Sequence, residues 1–187
     1  CHCNRSVAWR RHKPPLLFWL FLSGWSILGV NEWWPRMVGP LCALLNLVLV
    51  RQLATRLWPN DALSALSAPW FLIATLLWTL FASSTMFDTL LTCCVLLAML
   101  GLFEAAKGFS TKGWSYVAIA VGLGLLAKGP VILMHVVPTA VLVWFWQPNA
   151  GDKVRWFFHL ILACLAGCAI ALCWALPAAA AGGEEYA

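Results

Sequence analysis

From Trp156 to Pro177 the chain runs without a single Asp, Glu, Lys or Arg. About 20 apolar helical residues, rising ~1.5 Å each, span the ~30 Å of a bilayer's hydrocarbon core. Comparable runs recur along the sequence, and the charges are gathered in short breaks between them. In hydrocarbon every backbone N–H and C=O must find a partner in protein, and a helix satisfies them within one segment. Composition leads to the same place. The chain is 63% hydrophobic and 10% charged, with a mean hydropathy of +0.84, whereas a soluble domain carries about 25% charged residues. A chain of 187 residues cannot hide so much apolar surface from water. The 13 tryptophans suit the membrane interface, which indole favours.

The pattern predicts an all-α, polytopic transmembrane helical bundle of about six spans, near 37–57, 62–83, 89–103, 114–127, 131–146 and 156–177. Residues 16–30 form a further apolar run. Fifteen helical residues rise only about 22 Å, so this run reads as a short juxtamembrane or re-entrant helix. The breaks at 51–58, 105–113 and 147–155 are basic, and the positive-inside rule assigns them to the cytoplasm. The breaks at 31–36, 84–88, 128–130 and the acidic end then face outward. Arg5, Arg10, Arg11 and Lys13 resist this scheme, because their charge would prefer the cytoplasm and make 16–30 a seventh span. Small residues at helical spacing, Ala118/Gly122 and Ala120/Gly124, predict close helix contact.

Several function classes are disfavoured. The net charge of +5, from 12 basic and 7 acidic residues, is scattered in breaks and forms no basic, aromatic-interleaved surface for nucleic acid. Six of the eight cysteines (Cys42, Cys93, Cys94, Cys164, Cys168 and Cys173) lie within apolar runs, where they pack as small hydrophobes. Cys1-His2-Cys3 has no second pair of ligands at metal-site spacing, so no metal site is expected. There is no phosphate-binding Walker loop, no HExxH and no GxSxG. No signal peptide is visible in the polar, basic first 13 residues. With no initiator Met and an end that looks cut in a loop, the chain reads as a fragment.

Three places could carry chemistry. In His12-Lys13-Pro14-Pro15 the prolines hold the preceding backbone extended, so a cation is fixed at the rim of an apolar helix. It could meet an anionic head group or simply snorkel to the interface. Asp88 follows Ser83-Ser84-Thr85 between two apolar runs. Such a carboxylate either caps the returning helix or lines a cavity and positions a substrate hydroxyl or amine. Lys128 precedes Gly129-Pro130 and could bind phosphate as a point charge or complement the C-terminus of its helix. His135 and His159 lie within spans and read as helix–helix hydrogen-bonding residues rather than ligands.

These blocks, taken in order, resemble a family. His12-Lys13-Pro14-Pro15-Leu16-Leu17-Phe18-Trp19, then Gly29-Val30-Asn31-Glu32 with Arg36, is similar to the opening of the polytopic GT-C glycosyltransferases. The resemblance is to the protein O-mannosyltransferase-like enzymes and the lipid A aminoarabinose transferases. Met86-Phe87-Asp88-Thr89-Leu90-Leu91-Thr92 and Gly122 to Pro130 resemble two further blocks in the expected order. Trp174-Ala175-Leu176-Pro177, leading to Gly182-Gly183-Glu184-Glu185-Tyr186, resembles the entry to a later external loop.

The resemblance implies a partial GT-C transmembrane domain over 1–187, in a multi-pass protein of the bacterial inner membrane with its active site facing the periplasm or exterior. The donor would be a polyprenyl-phosphate-linked sugar, and the acceptor a lipid, glycan or protein. Lys13, with His12 beside it and Lys128 adding positive potential, would bind the donor. Asp88 would be a catalytic carboxylate lining the cavity. His12 stands where the aminoarabinose branch has glutamate, a departure that leaves a divalent metal in the full-length enzyme an open question. The family's principal catalytic aspartate lies upstream of the Lys-Pro-Pro block, and residues 1–11 contain no acidic residue, so the fragment alone is expected to be inactive. If Lys13 is external and Arg51 internal, 16–30 should not cross. The alternative is a non-enzymatic membrane protein such as part of a transporter, although the internal repeat and paired broken helices of that class are not evident.

Overall fold

An apolar helix in a bilayer is packed by shape, so the small and the few polar residues decide who touches whom. The computed structural model describes residues 15–76, 78, 87–108, 111–148 and 150–182. They form an all-α, membrane-type helical bundle of eight helices: α1 Leu16–Leu28, α2 Trp33–Leu57, α3 Ala62–Ala74, α4 Phe87–Gly108, α5 Thr111–Lys128, α6 Val131–Val141, α7 Val143–Trp146 and α8 Lys153–Gly182. Helices α2, α4 and the Lys153–Pro177 part of α8 are long and apolar enough to cross a membrane. Helix α1 has 13 residues, about 20 Å of rise.

Antiparallel α4 and α5 make the centre, and glycine lets them approach. A Cβ on Gly113 would stand 2.5 Å from the Ala105 backbone nitrogen and 2.7 Å from the Gly101 carbonyl. Helix α8 lies on α5, with Ile170 over Gly122 and Val121 over Gly167, and Ile132 of α6 fills the space beside Gly124. The expected Gly122 and Gly124 contacts thus go to two different neighbours. Ala98, Leu102, Val117, Val121, Ile132 and Trp156 are wholly or almost wholly buried in this core.

The stretch 131–146, expected as one helix, bends at Leu142 (φ −87°, ψ 17°) into α6 and α7. The indole N–H groups of Trp146 and Trp156 donate to the Thr139 and Ala140 carbonyls at 3.2 and 3.0 Å. They supply donors where the backbone ladder is interrupted, which is how non-helical backbone is tolerated at membrane depth. Of the expected span 62–83, α3 accounts for the part up to Ala74; residues 79–83 lie outside the described residues.

Helix α1 lies against one end of the bundle. Leu17 packs with Val38, Leu90 and Ala127, Trp19 meets Trp174 edge-on at 6.1 Å, and the Trp34 indole donates to the Leu20 carbonyl at 3.0 Å. Trp34 occupies the space a side chain on Gly24 would need. Asn31 sets the α1–α2 corner. Its amide donates to the Gly29 carbonyl at 2.8 Å, and its side-chain oxygen accepts from the Trp34 N–H at 2.9 Å. Gly29 has φ 74°, a conformation favouring glycine.

Candidate functional site

Helix α5 stops after Lys128 because Gly129 adopts φ 72° and Pro130 follows. The Gly129 N–H closes the end by donating to the Leu125 carbonyl at 2.9 Å, a left-handed C-cap. Lys128 is therefore held in the last turn of its helix. Asp88 lies in the first turn of the antiparallel α4. The Lys128 ammonium donates to Asp88 Oδ1. Both alternatives weighed for Lys128 rested on one cation at a helix end; here it has a carboxylate partner, and Asp88 has a charge to face rather than only N–H groups to cap.

The pair is half open to its surroundings, with side-chain exposures of 39% for Lys128 and 64% for Asp88. Its base is apolar, since the neighbouring Phe87, Leu90 and Ala127 join the cluster beneath α1. From this base an apolar groove of about 380 Å³ runs between α1, α2, α4 and α5, lined by Leu16, Leu20, Leu45, Leu90, Cys94 and Leu123 among others. Leu97, also on its wall, is nine residues beyond Asp88, about 13 Å along the helix. Leu90, two residues after Asp88, lines this groove, and a charged pair near a hydrocarbon-lined groove suits an amphiphile with a polar head and an apolar tail.

Asn46 underpins the site and was not singled out from the sequence. It is fully buried in α2, and its side-chain amide donates to the Thr89 carbonyl at 3.0 Å, one residue from Asp88. Its Oδ1 has no hydrogen-bond partner. The signal was present: a lone amide in the apolar run Ala43-Leu44-Leu45-Asn46-Leu47-Val48 is costly in a membrane and is a functional candidate by default.

At the other end of α4, Arg56 Nη1 of α2 stands 3.0 Å from Glu104 Oε1. That end also carries Lys107, Lys112, Lys153 and Arg155 on α4, α5 and α8. The two interhelical ion pairs thus bracket α4, with 16 residues, or about 24 Å, between Asp88 and Glu104.

His12 and Lys13 lie outside the described residues. His159 stacks on Trp114 of α5 at 5.7 Å, and its Nδ1 lies 2.7 Å from the Arg155 carbonyl of its own helix. His135 is exposed. The six cysteines of the apolar runs are free, and Cys93 Sγ lies 3.4 Å from the Cys42 carbonyl. Among the described residues no three His, Cys, Asp or Glu side chains come together to hold a metal ion.

The described residues form an all-α, membrane-type helical bundle with an interhelical ion pair near an apolar groove. Within that class, the chain belongs to the dolichyl-phosphate-mannose-protein mannosyltransferase family, which matches residues 12–174. It is 28% identical over 156 residues to undecaprenyl phosphate-alpha-4-amino-4-deoxy-L-arabinose arabinosyl transferase 1 of Pseudomonas fluorescens (strain Pf0-1), covering 81% of this chain and 27% of that protein. The corresponding transferase of Erwinia tasmaniensis is 30% identical over 140 residues, 72% of this chain and 25% of that protein. That of Pseudomonas aeruginosa (strain LESB58) is 28% identical over 172 residues, 88% of this chain and 30% of that protein. The chain thus spans less than a third of the length of these relatives. No solved structure matches it.

Proposed function

We propose that this chain is part of an integral-membrane glycosyltransferase that moves a sugar from a polyprenyl-phosphate donor to a lipid, glycan or protein acceptor. The observation that carries the reading is the Asp88–Lys128 pair, set beside an apolar groove that Leu90, two residues after Asp88, helps to line. The groove offers the donor's isoprenoid tail a wall of hydrocarbon. Lys128 offers its phosphate a positive charge, and Lys13, four residues before Leu17 in sequence, is the second cation of the reading, with His12 beside it. When the sugar transfers, the polyprenyl phosphate leaves with the bonding electrons, and a nearby cation lowers the energy of the charge that develops on it. Asp88, two residues before the groove-lining Leu90, is assigned to the acceptor, accepting a hydrogen bond from its hydroxyl or amine. The names of the three relatives, which place undecaprenyl phosphate in the donor, support this class of lipid.

The reading places the 1–187 segment as a partial GT-C transmembrane domain of about six spans in a bacterial inner membrane. The Asp88–Lys128 end faces the periplasm and the basic end faces the cytoplasm, in keeping with the positive-inside rule. The segment by itself is inactive in this reading and still binds donor lipid.

Binding tests it directly. The chain in detergent is titrated with undecaprenyl phosphate and, separately, with undecaprenol. The expected result is preference for the phosphate, weakened in Lys128→Gln. In Asp88→Asn it rises by up to about fivefold, because an exposed ion pair holds Lys128 by up to ~1 kcal/mol. Equal affinity for the two lipids, or a Lys128→Gln protein that keeps the preference, would overturn the reading.

A further inference from the structure

We propose that the basic end of the bundle holds a second lipid site, which takes an acyl chain of an anionic glycerophospholipid in a cavity between α2, α4, α6 and α7. The cavity measures about 140 Å³ and is walled mainly by Leu53, Leu57, Met99, Leu102, Phe103 and Trp146. The Phe103 and Trp146 rings lie 6.2 Å apart at 17° and form one flat side. Thr139 also lines the space, but its hydroxyl donates to the His135 carbonyl at 2.9 Å and its carbonyl accepts the Trp146 indole N–H. The lining's polar groups are therefore engaged within the protein. What remains for a ligand is hydrocarbon surface, which suits a methylene chain.

Charge at the mouth selects the head group. Lys107 Nζ stands 4.6 Å from the centre of the Phe103 ring. Arg56, the neighbour of Leu57, pairs with Glu104 by distance, but its Nη1 is shielded from solvent and makes no hydrogen bond of good geometry. Two cations against one carboxylate leave a single positive charge, the complement of a head group with one negative charge. Leu57 and Lys107 lie in the last turns of α2 and α4, while Leu53 and Met99 lie about one to two turns deeper. A lipid placed with its phosphate at the cations would send its chain down that path. Basic pockets between transmembrane helices recognise anionic lipids in this way. Phe103 is 15 residues beyond Asp88, about 22 Å along α4, so the site is separate from the groove and does not rest on the transferase reading.

The test uses native mass spectrometry of the 187-residue chain released from detergent with phosphatidylglycerol or phosphatidylcholine of identical acyl chains. The expected result is preferential retention of one phosphatidylglycerol, by about fivefold for each cation engaged. Lys107→Gln is expected to cut that preference about fivefold and Arg36→Gln, which removes an exposed cation at the opposite end of α2, to leave it unchanged. Met99→Trp, which fills the cavity, should reduce retention of both lipids. Lys107 is exposed, so its variant keeps the test decisive should Met99→Trp fail to fold. Equal retention of the two lipids overturns the proposal, as does a preference lost in Arg36→Gln but kept in Lys107→Gln. A protein dimer abolished by Met99→Trp, with lipid retention unchanged, overturns it in favour of a second copy covering the cavity.

Discussion

Asp88 and Lys128, 40 residues apart in sequence, meet at one end of the bundle because α4 begins where its antiparallel partner α5 ends. Two residues that pair directly must be reached from the same side of a membrane. Single cysteines at 88 and 128 are therefore expected to react with an impermeant maleimide from one face, and cysteines at 56 and 153 from the other. Labelling of 88 and 128 from opposite faces contradicts the pairing.

Asn46 exerts opposing effects on stability. Its hydrogen bond to the Thr89 carbonyl is worth about 0.6 kcal/mol by the average for interhelical bonds in membranes, and its buried, unpartnered oxygen opposes that gain. Asn46→Leu is expected to change stability by less than about 1 kcal/mol. Asn46→Asp, which buries a carboxylate without a partner, should cost about 3 kcal/mol or more. Unfolding of the chain in mixed micelles checks both, and equal effects would argue that residue 46 is open to water.

Close approach of α4 and α5 at Gly113 leaves a side chain nowhere to go, because the obstructing atoms are backbone. Gly113→Ala should destabilise the chain by about 1–3 kcal/mol, as overpacking does. A Cβ at Gly108, the last residue of α4, meets nothing within 4 Å, so Gly108→Ala is expected to be neutral or slightly stabilising. Thermal unfolding of the two variants side by side is the comparison that decides it.

Arg56 and Glu104 are each about one-third exposed, so solvent screens part of their attraction. A double-mutant cycle with Arg56→Gln and Glu104→Gln is expected to give a coupling of about 0.5–1 kcal/mol. Exchanging the two charges should recover most of it. A coupling of zero would leave Arg56 as a lipid-facing cation only.

Asp61 starts α3 by accepting from the N–H groups of Leu63 and Ser64 at 3.0 and 3.2 Å. Hydrogen bonds from the Ser64 hydroxyl and backbone, and then from Leu63, hold its carboxyl below the usual carboxylate range. A group whose folded pKa is depressed stabilises above its unfolded pKa and loses that contribution as pH falls through the folded value. Hydrogen exchange at Leu63 and Ser64, corrected for its intrinsic pH dependence, should therefore be steady near neutrality and quicken in acid below the ordinary Asp range. Asp61→Asn should retain a cap and flatten this profile.

Much of the architecture was legible because the membrane imposes it. Long apolar runs with charges in their breaks can be placed only as helices, but their ends were less legible. Helix α2 starts at Trp33 rather than 37, α4 runs on to Gly108 rather than 103, and α8 extends from Lys153 to Gly182 rather than 156–177, because amphipathic flanks continue a helix beyond its apolar run. Asp88 and Lys128 stood out because a charge beside an apolar run is conspicuous. The bend at Leu142 did not, because it depends on indole donors from Trp146 and Trp156 reaching carbonyls that only the folded chain brings near.

What the sequence by itself determined was the class: an apolar helical chain whose ordered blocks, from His12-Lys13-Pro14-Pro15 to Trp174, place it in a family. Hydropathy is a local property, so it survives without coordinates. Only the tertiary structure decided that Lys128 faces Asp88, that Asn46 braces α4 beneath them, and that Arg56 meets Glu104. Those are relations between helices 40 or more residues apart. They are set by which small residues let backbones approach, and nothing in a single helix's pattern carries that information.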